Sequence, residues 1–134
     1  MTRYAIDAPT LLAIAAGEVD VDTAHQLVAP ARIRSDALAI LLEAVRAGRL
    51  TEAEALARHE RLTETKLRAL NDRVSRRVAW DLASAHDWEL GTAEYLAVAK
   101  LQADALVTAD DDLAAKAAGI VPVGVRAALG VPAG

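Results

Sequence analysis

The chain contains no cysteine and no phenylalanine. Without cysteine there is no disulfide, no zinc–thiolate site and no thiol nucleophile. The aromatic side chains are two Trp and two Tyr, although hydrophobic residues make up 54% of the sequence. Ala, Leu and Val must therefore do most of the packing. No uninterrupted apolar run reaches the roughly 18 residues of a membrane span. The opening MTRYAIDAPTLL has no long apolar stretch, so no signal peptide is expected. Two catalytic signatures are also missing. There is no Gly-x-Ser-x-Gly elbow for a Ser-His-Asp hydrolase and no P-loop for nucleotide hydrolysis. His25, His59 and His86 stand at unrelated spacings and form no helical metal-ligand pair.

What remains is enough for one domain. The 134 residues suit a single compact unit over 1–134 with a core that needs no staples, and 130–134 read as a flexible tail. The net charge of −4 does not mark a nucleic-acid binder. Its distribution is uneven, however. Residues 58–77 carry seven basic side chains against three acidic ones, a balance of +4 that leaves −8 for the remainder. A basic arm beside an acidic body suits a phosphate backbone held near metal-binding carboxylates. A solvated helix face accounts for the same charges equally well.

Hydropathy alternates between short apolar runs and helical patterns. RYAI reads as a strand and APTLLAIAAG as a helix, with Pro9 in its first turn and Gly17 near its end. HQLVAP reads as a second strand ending at Pro30. Ser35 is placed to cap the helix DALAILLEAVRAG, with Leu38, Leu41, Leu42 and Val45 at helical spacing and Gly48 as its close. A capping box, Thr51 with Glu54, opens LTEAEALARHERLTETKLRAL. Helices follow over DRVSRRVAWDLASAHDW and TAEYLAVAKLQA, the latter with Leu96, Val98 and Leu101 as expected buried positions. ALVT is a buried-strand candidate, DDDLAAKAAG a short helix stopped by Gly119, and IVPVGV a last strand. Such alternation predicts an α/β fold: a three-layer α/β/α sandwich around a mostly parallel sheet of four to five short strands.

In a parallel sheet, ligands bind beyond the carboxyl ends of the strands. Asp7 directly follows RYAI, and Asp110 follows ALVT by two residues. Asp36 opens the helix after the second strand and can reach the same rim. Three converging carboxylates repel one another, and a divalent cation offsets the repulsion. All-oxygen ligation points to Mg²⁺ or Mn²⁺. A cation so held activates water for displacement at phosphorus. Each acid also has a plain structural reading. Asp7 and Asp36 stand where helix-capping acids are common, and Asp110, Asp111 and Asp112 can all serve the next helix N-terminus. Trp80 and Trp88 could stack on bases or anchor a core or interface.

The ordered set of acids resembles the PIN-domain ribonucleases, and in particular the VapC-type toxins of bacterial type II toxin–antitoxin systems. IDAPTLL is similar to the family's opening strand–Asp–helix motif. LVAPARIRSDALAILLEAVRAGRL is similar to its second block, and TAEYLAVAKLQADALVTADDDLAAKAA to its third. The likeness covers nearly the whole chain. Its most specific part is VTADDDLAAKAA, with Thr108 and Asp110 at the Thr-x-Asp positions. Carried over, Asp7, Asp36 and Asp110 match three of the family's four acids and are the catalytic and metal-binding candidates. Asp36 is one methylene shorter than the usual Glu.

The sequence departs from the family at two places. Pro9 stands where the family commonly has Ser, with Thr10 as the nearest hydroxyl. Thr92 stands where the third acid should precede AEYLAVA, and it reads as the cap of a helix over 92–102. Glu94, about 200° further round the helix, and Asp112 are candidate substitutes. Glu43 shares a helix face with Asp36 but stands about 10 Å along the axis. The resemblance implies a cytoplasmic endoribonuclease that uses Mg²⁺ or Mn²⁺ on an RNA substrate, tRNA or ribosomal RNA. It also implies a homodimer, and neutralisation by a VapB-like antitoxin whose segment lies in a groove and often sends an Arg to the acids. Such a groove would run along residues 51–86, with Leu56, Leu62, Leu67, Leu70, Val74 and Val78. Arg73, Arg76 and Arg77 are candidates for RNA-backbone contacts. The alternative is a degenerate PIN module that binds such a partner, or RNA, without cutting.

Overall fold

The computed structural model describes residues 1–130. Five strands form one sheet among these residues, in the order β3-β2-β1-β4-β5, and every pairing is parallel. The strands are β1 (Arg3–Ile6), β2 (Gln26–Pro30), β3 (Arg68–Leu70), β4 (Ala105–Val107) and β5 (Val123–Gly124). The helices are α1 (Ala8–Ala15), α2 (Ile33–Arg46), α3 (Glu52–Glu64), α4 (Arg73–His86), α5 (Leu90–Gln102) and α6 (Asp111–Ala117). A 3₁₀ turn at Arg126–Leu129 follows. The result is a three-layer α/β/α sandwich.

Strand side chains alternate between the two faces. Ile6, Leu27, Ala29 and Val107 face one core, shared with Leu11 of α1, Ile33, Ala37 and Leu41 of α2, and Ala55 and Leu62 of α3. Ala5, Val28 and Leu106 face the other, against Leu96, Val98 and Ala99 of α5 and Leu113 and Ala117 of α6. Burial on both faces explains why these strands read as continuous apolar runs. Alanines let α4 and α5 approach closely: Ala79, Ala93 and Ala97 form their own fully buried cluster.

The expected elements appear, with corrections at their edges. Residues 68–70, inside a stretch expected to continue a helix, form β3 instead and pair with β2 from Val28↔Arg68 onward. Ser35 caps nothing, because α2 begins earlier, at Ile33, with Arg32 at the cap position and no side-chain cap. The inner face of α2 is Ile33, Ala37, Leu41 and Ala44, and Val45 packs at its margin. Leu38 and Leu42 point outward. Leu101 is likewise exposed, and so is Trp80, which leaves it no core role. Thr92 is not a cap either. It is the third residue of α5, whose cap position is Glu89. The capping box of Thr51 and Glu54 is present, and Gly48 closes α2 at φ 76°. Leu129 is fully buried and Gly130, the first residue of the expected tail, bridges Val21. Residues 131–134 of that tail lie outside the described residues. No helix among the described residues is long and apolar enough to cross a membrane.

Candidate functional site

The strand order places a topological switch between β1 and β4. From β1 the chain moves one way through β2 and β3, then returns to build β4 and β5 on the other side. Helices on opposite faces diverge there and leave a crevice at the strands' carboxyl ends. Asp7 directly follows β1 and Asp110 follows β4, so both stand at this crevice.

Asp7 is almost entirely buried, at 5% exposure. Its side chain caps α1: Oδ1 accepts from the Thr10 amide at 3.0 Å and from the Thr10 hydroxyl at 2.5 Å. Its Oδ2 accepts from the Thr108 hydroxyl at 2.5 Å. Thr108 in turn accepts from the Asp110 amide at 3.0 Å. A buried carboxylate needs such donors. Here all of them are neutral groups, one amide and two hydroxyls.

Asp110 caps α6, with Oδ1 accepting from the amides of Asp112 and Leu113 at 2.9 and 3.1 Å. Its Oδ2 has no hydrogen-bond partner among the described residues. Asp36, in the first turn of α2, accepts through Oδ2 from the Tyr95 hydroxyl at 2.7 Å and from Arg32 Nε at 2.9 Å. Its Oδ1 is likewise without a partner among the described residues. Burial first, and then the bond to Asp36, raise the Tyr95 phenol far above its ordinary value, so it stays a donor. Capping engages only Oδ1 of Asp110, a residue that also lines the crevice.

The crevice is a cavity of about 260 Å³ lined by Asp7, Asp36, Asp110, Asp112, Glu89 and Thr92, with Arg32, Gly91 and Tyr95 on its walls. All three leading candidates line it, as do Thr92 and Asp112. Asp112 pairs with Lys116 one turn on. Glu94 does not line this cavity. It lies in a neighbouring cavity of about 140 Å³, lined also by Arg76, Asn71 and Ser75, and Arg32 stands in the wall of both. Neither cavity is lined by Glu43, Arg73 or Arg77. Arg77 pairs with Asp81. Of the expected groove residues on 51–86, Leu62 is core while Leu56 and Val74 are exposed.

Arg32 was not singled out by the sequence, although its i, i+4 spacing to Asp36 on one helix was a signal. Its Nη1 lies 3.2 Å from Glu94 Oε2 while its Nε holds Asp36, so one guanidinium bridges two elements. Asp36 and then Glu94 raise its already high pKa. Gly91 makes room for it: a Cβ there would lie 2.7 Å from Arg32 Cζ and overlap Nη1.

Among the described residues no three carboxylate or imidazole groups converge tightly enough to cage an ion by themselves. Asp36 is held by Arg32, and both oxygens of Asp7 are engaged by threonine hydroxyls. The donor set still suits a hard divalent cation. It is all oxygen, it lines one cavity, and Asp36 Oδ1 and Asp110 Oδ2 are uncommitted.

No protein-family profile matches this sequence, and no protein of curated function does. Among solved structures, the chain is similar to the crystal structure of PAE2754 from Pyrobaculum aerophilum, at 23% identity and a TM-score of 0.67. The match covers 90% of each chain. At that identity the likeness shows a shared fold over nearly the full length of both proteins.

Proposed function

We propose that this chain is a metal-dependent endoribonuclease of the PIN-domain, VapC-toxin kind, acting on RNA phosphodiester bonds. The observation that carries the reading is the tie between the two strand ends at the switch point. Asp7 and Asp110 share Thr108 as a common partner, in a cavity that also takes in Asp36. Asp7, Asp36 and Asp110 would hold Mg²⁺ or Mn²⁺. Bound there, the cation would lower the pKa of a water and stabilise charge on the phosphate oxygens. The chain's own residues do the positioning. Thr10 and Thr108 fix Asp7, the amides of α6 fix Asp110, and Tyr95 fixes Asp36, whose Oδ1 completes the site or orients the attacking water. Arg76, beside the neighbouring cavity, is the best placed of the three arginines for a backbone phosphate. The exposed Leu38 and Leu42 on α2 and Leu56 on α3 offer apolar surface to a second copy or to a VapB-like antitoxin. Action in the cytoplasm accords with a chain free of cysteine.

A second reading is favoured by one feature. Thr92 lines the cavity where the resembled family places its third acid, and Arg32 already pairs with both Asp36 and Glu94. A PIN module with this site would bind an antitoxin-like partner or RNA without cutting it. Wild type, Asp7→Asn and Thr92→Asp, assayed on structured RNAs with Mg²⁺ and Mn²⁺, separate the two readings. The enzyme reading expects metal-dependent cutting by wild type that Asp7→Asn loses. Cutting by Thr92→Asp alone identifies the degenerate form, and equal cutting by all three refutes the site.

A further inference from the structure

Arg32 is the one cation in the wall of the acid cavity, among the described lining residues. Its guanidinium spans Asp36 on α2 and Glu94 on α5. It is inserted where α5 carries a glycine in its first turn, and any side chain at that position would meet it. The guanidinium is a rigid fork, so holding both acids fixes its plane against α5. It also brings a permanent positive charge to the carboxylate that a metal would need.

We propose that Arg32 is a built-in competitor of the divalent cation, holding Asp36 in the metal-free site and setting metal affinity; this rests on the metal-site reading above. Asp36 Oδ2 bonds Arg32 Nε at 2.9 Å. A divalent ion drawing on Asp36 meets both that bond and the repulsion of a fixed charge close by. Glu94 is the second anchor. It lies in the adjoining cavity rather than with the candidate ligands. When metal takes Asp36, Glu94 keeps the guanidinium neutralised and against Gly91. Glu94 is then a positioning residue acting through Arg32, not a metal ligand. Linkage makes the effect reciprocal: the same metal that Arg32 weakens must loosen Arg32 from Asp36.

The test is Mn²⁺ binding, read from the electron paramagnetic resonance signal of the free ion, with no RNA present. The proteins are wild type, Arg32→Gln, Gly91→Ala, Glu94→Gln, the double variant Arg32→Gln/Glu94→Gln, and Asp7→Asn. Arg32→Gln is expected to bind Mn²⁺ about threefold or more tightly than wild type, from the loss of one partly exposed ion pair and one charge. Gly91→Ala keeps the charge but pushes the guanidinium aside, and alanine favours a helix, so it should fold and also bind more tightly. Glu94→Gln should weaken binding, and the same change in the Arg32→Gln background should have no effect.

Failure of the inference and failure of the site reading are distinguishable. If Asp7→Asn lowers Mn²⁺ binding while Arg32→Gln and Gly91→Ala match or fall below wild type, the competitor role is overturned and the metal site stands. If Glu94→Gln weakens binding equally in both backgrounds, Glu94 is a ligand and its assigned role is overturned. If wild type binds Mn²⁺ measurably and Asp7→Asn binds equally well, the site reading falls and takes the inference with it. Wild type without measurable binding supports the proposal if Arg32→Gln gains it, and overturns it if Arg32→Gln does not.

Discussion

The Thr108 hydroxyl donates to Asp7 Oδ2 at 2.5 Å, joining the end of β4 to the end of β1 across 101 positions of sequence. Thr108 Oγ1 also accepts from the Asp110 amide. Two residues at two strand ends, Asp7 and Asp110, are therefore set by one side chain. Thr108→Val keeps the shape but leaves the buried Asp7 short of a donor and the Asp110 amide without an acceptor. A loss of about 1–3 kcal/mol is expected, measured as a lower midpoint in urea with an unchanged slope. RNA cleavage should fall with it, because Asp7 and Asp110 lose their common reference.

Tyr95 supplies the pH prediction at the alkaline end. Its phenol is raised above the ordinary value, chiefly by burial and next by the bond to Asp36. A raised value means that the fold prefers the protonated phenol. That stabilisation is complete below the unfolded value near 10 and is lost as pH climbs toward the folded one. Wild type should therefore lose stability above about pH 10 more steeply than Tyr95→Phe. At neutral pH the variant should be weaker by about 0.5–1.5 kcal/mol. Urea midpoints at pH 7, 9 and 11 check both statements.

The acid limb is set in part by a helix cap. Asp72 accepts from the Ser75 hydroxyl and amide at the start of α4, and these bonds hold its carboxyl below the usual value, the hydroxyl first. A lowered value stabilises the fold above the unfolded value near 3.9 and is lost as pH falls through the folded one. Asp72→Asn keeps a capping oxygen but cannot titrate. The stability gap between wild type and Asp72→Asn should close below about pH 4, followed by circular dichroism during acid unfolding.

The layered fold, the strand-end acids and their shared rim were legible because parallel strands buried on both faces make unmistakable apolar runs. The inner face of α2 was not. Its contacts come through Ile33, Ala37, Leu41 and Ala44, where alanines let the helix sit close to its neighbours, while the bulkier Leu38 and Leu42 face out. Side-chain size alone pointed to the wrong stripe. β3 was missed because Arg68–Leu70 is three residues long and half exposed at the sheet edge, too short to show alternation. In the site, Asp7, Asp36 and Asp110 could be named from position. The bridge made by Arg32 could not, because its second partner, Glu94, is 62 positions away.

The α2 assignment has its own test. Leu41→Ala should cost about 2–5 kcal/mol, the usual range for a buried leucine. Leu42→Ala, on the exposed face, should stay within about 0.5 kcal/mol in dilute monomer. Similar losses at both positions would mean that Leu42 is covered, and sedimentation velocity would then show a self-associating wild type that Leu42→Ala disrupts.

The central claim is that the switch-point acids form a metal site that cuts RNA. Its most direct measurement is the cleavage rate of an end-labelled structured RNA against Mn²⁺ concentration, for metal-stripped wild type and Asp110→Asn. Asparagine keeps the cap on α6 and so the fold. Wild type should gain activity with Mn²⁺ and lose it to a chelator, and Asp110→Asn should be slower by about 100-fold or more. Equal, metal-dependent rates for the two proteins would contradict the account.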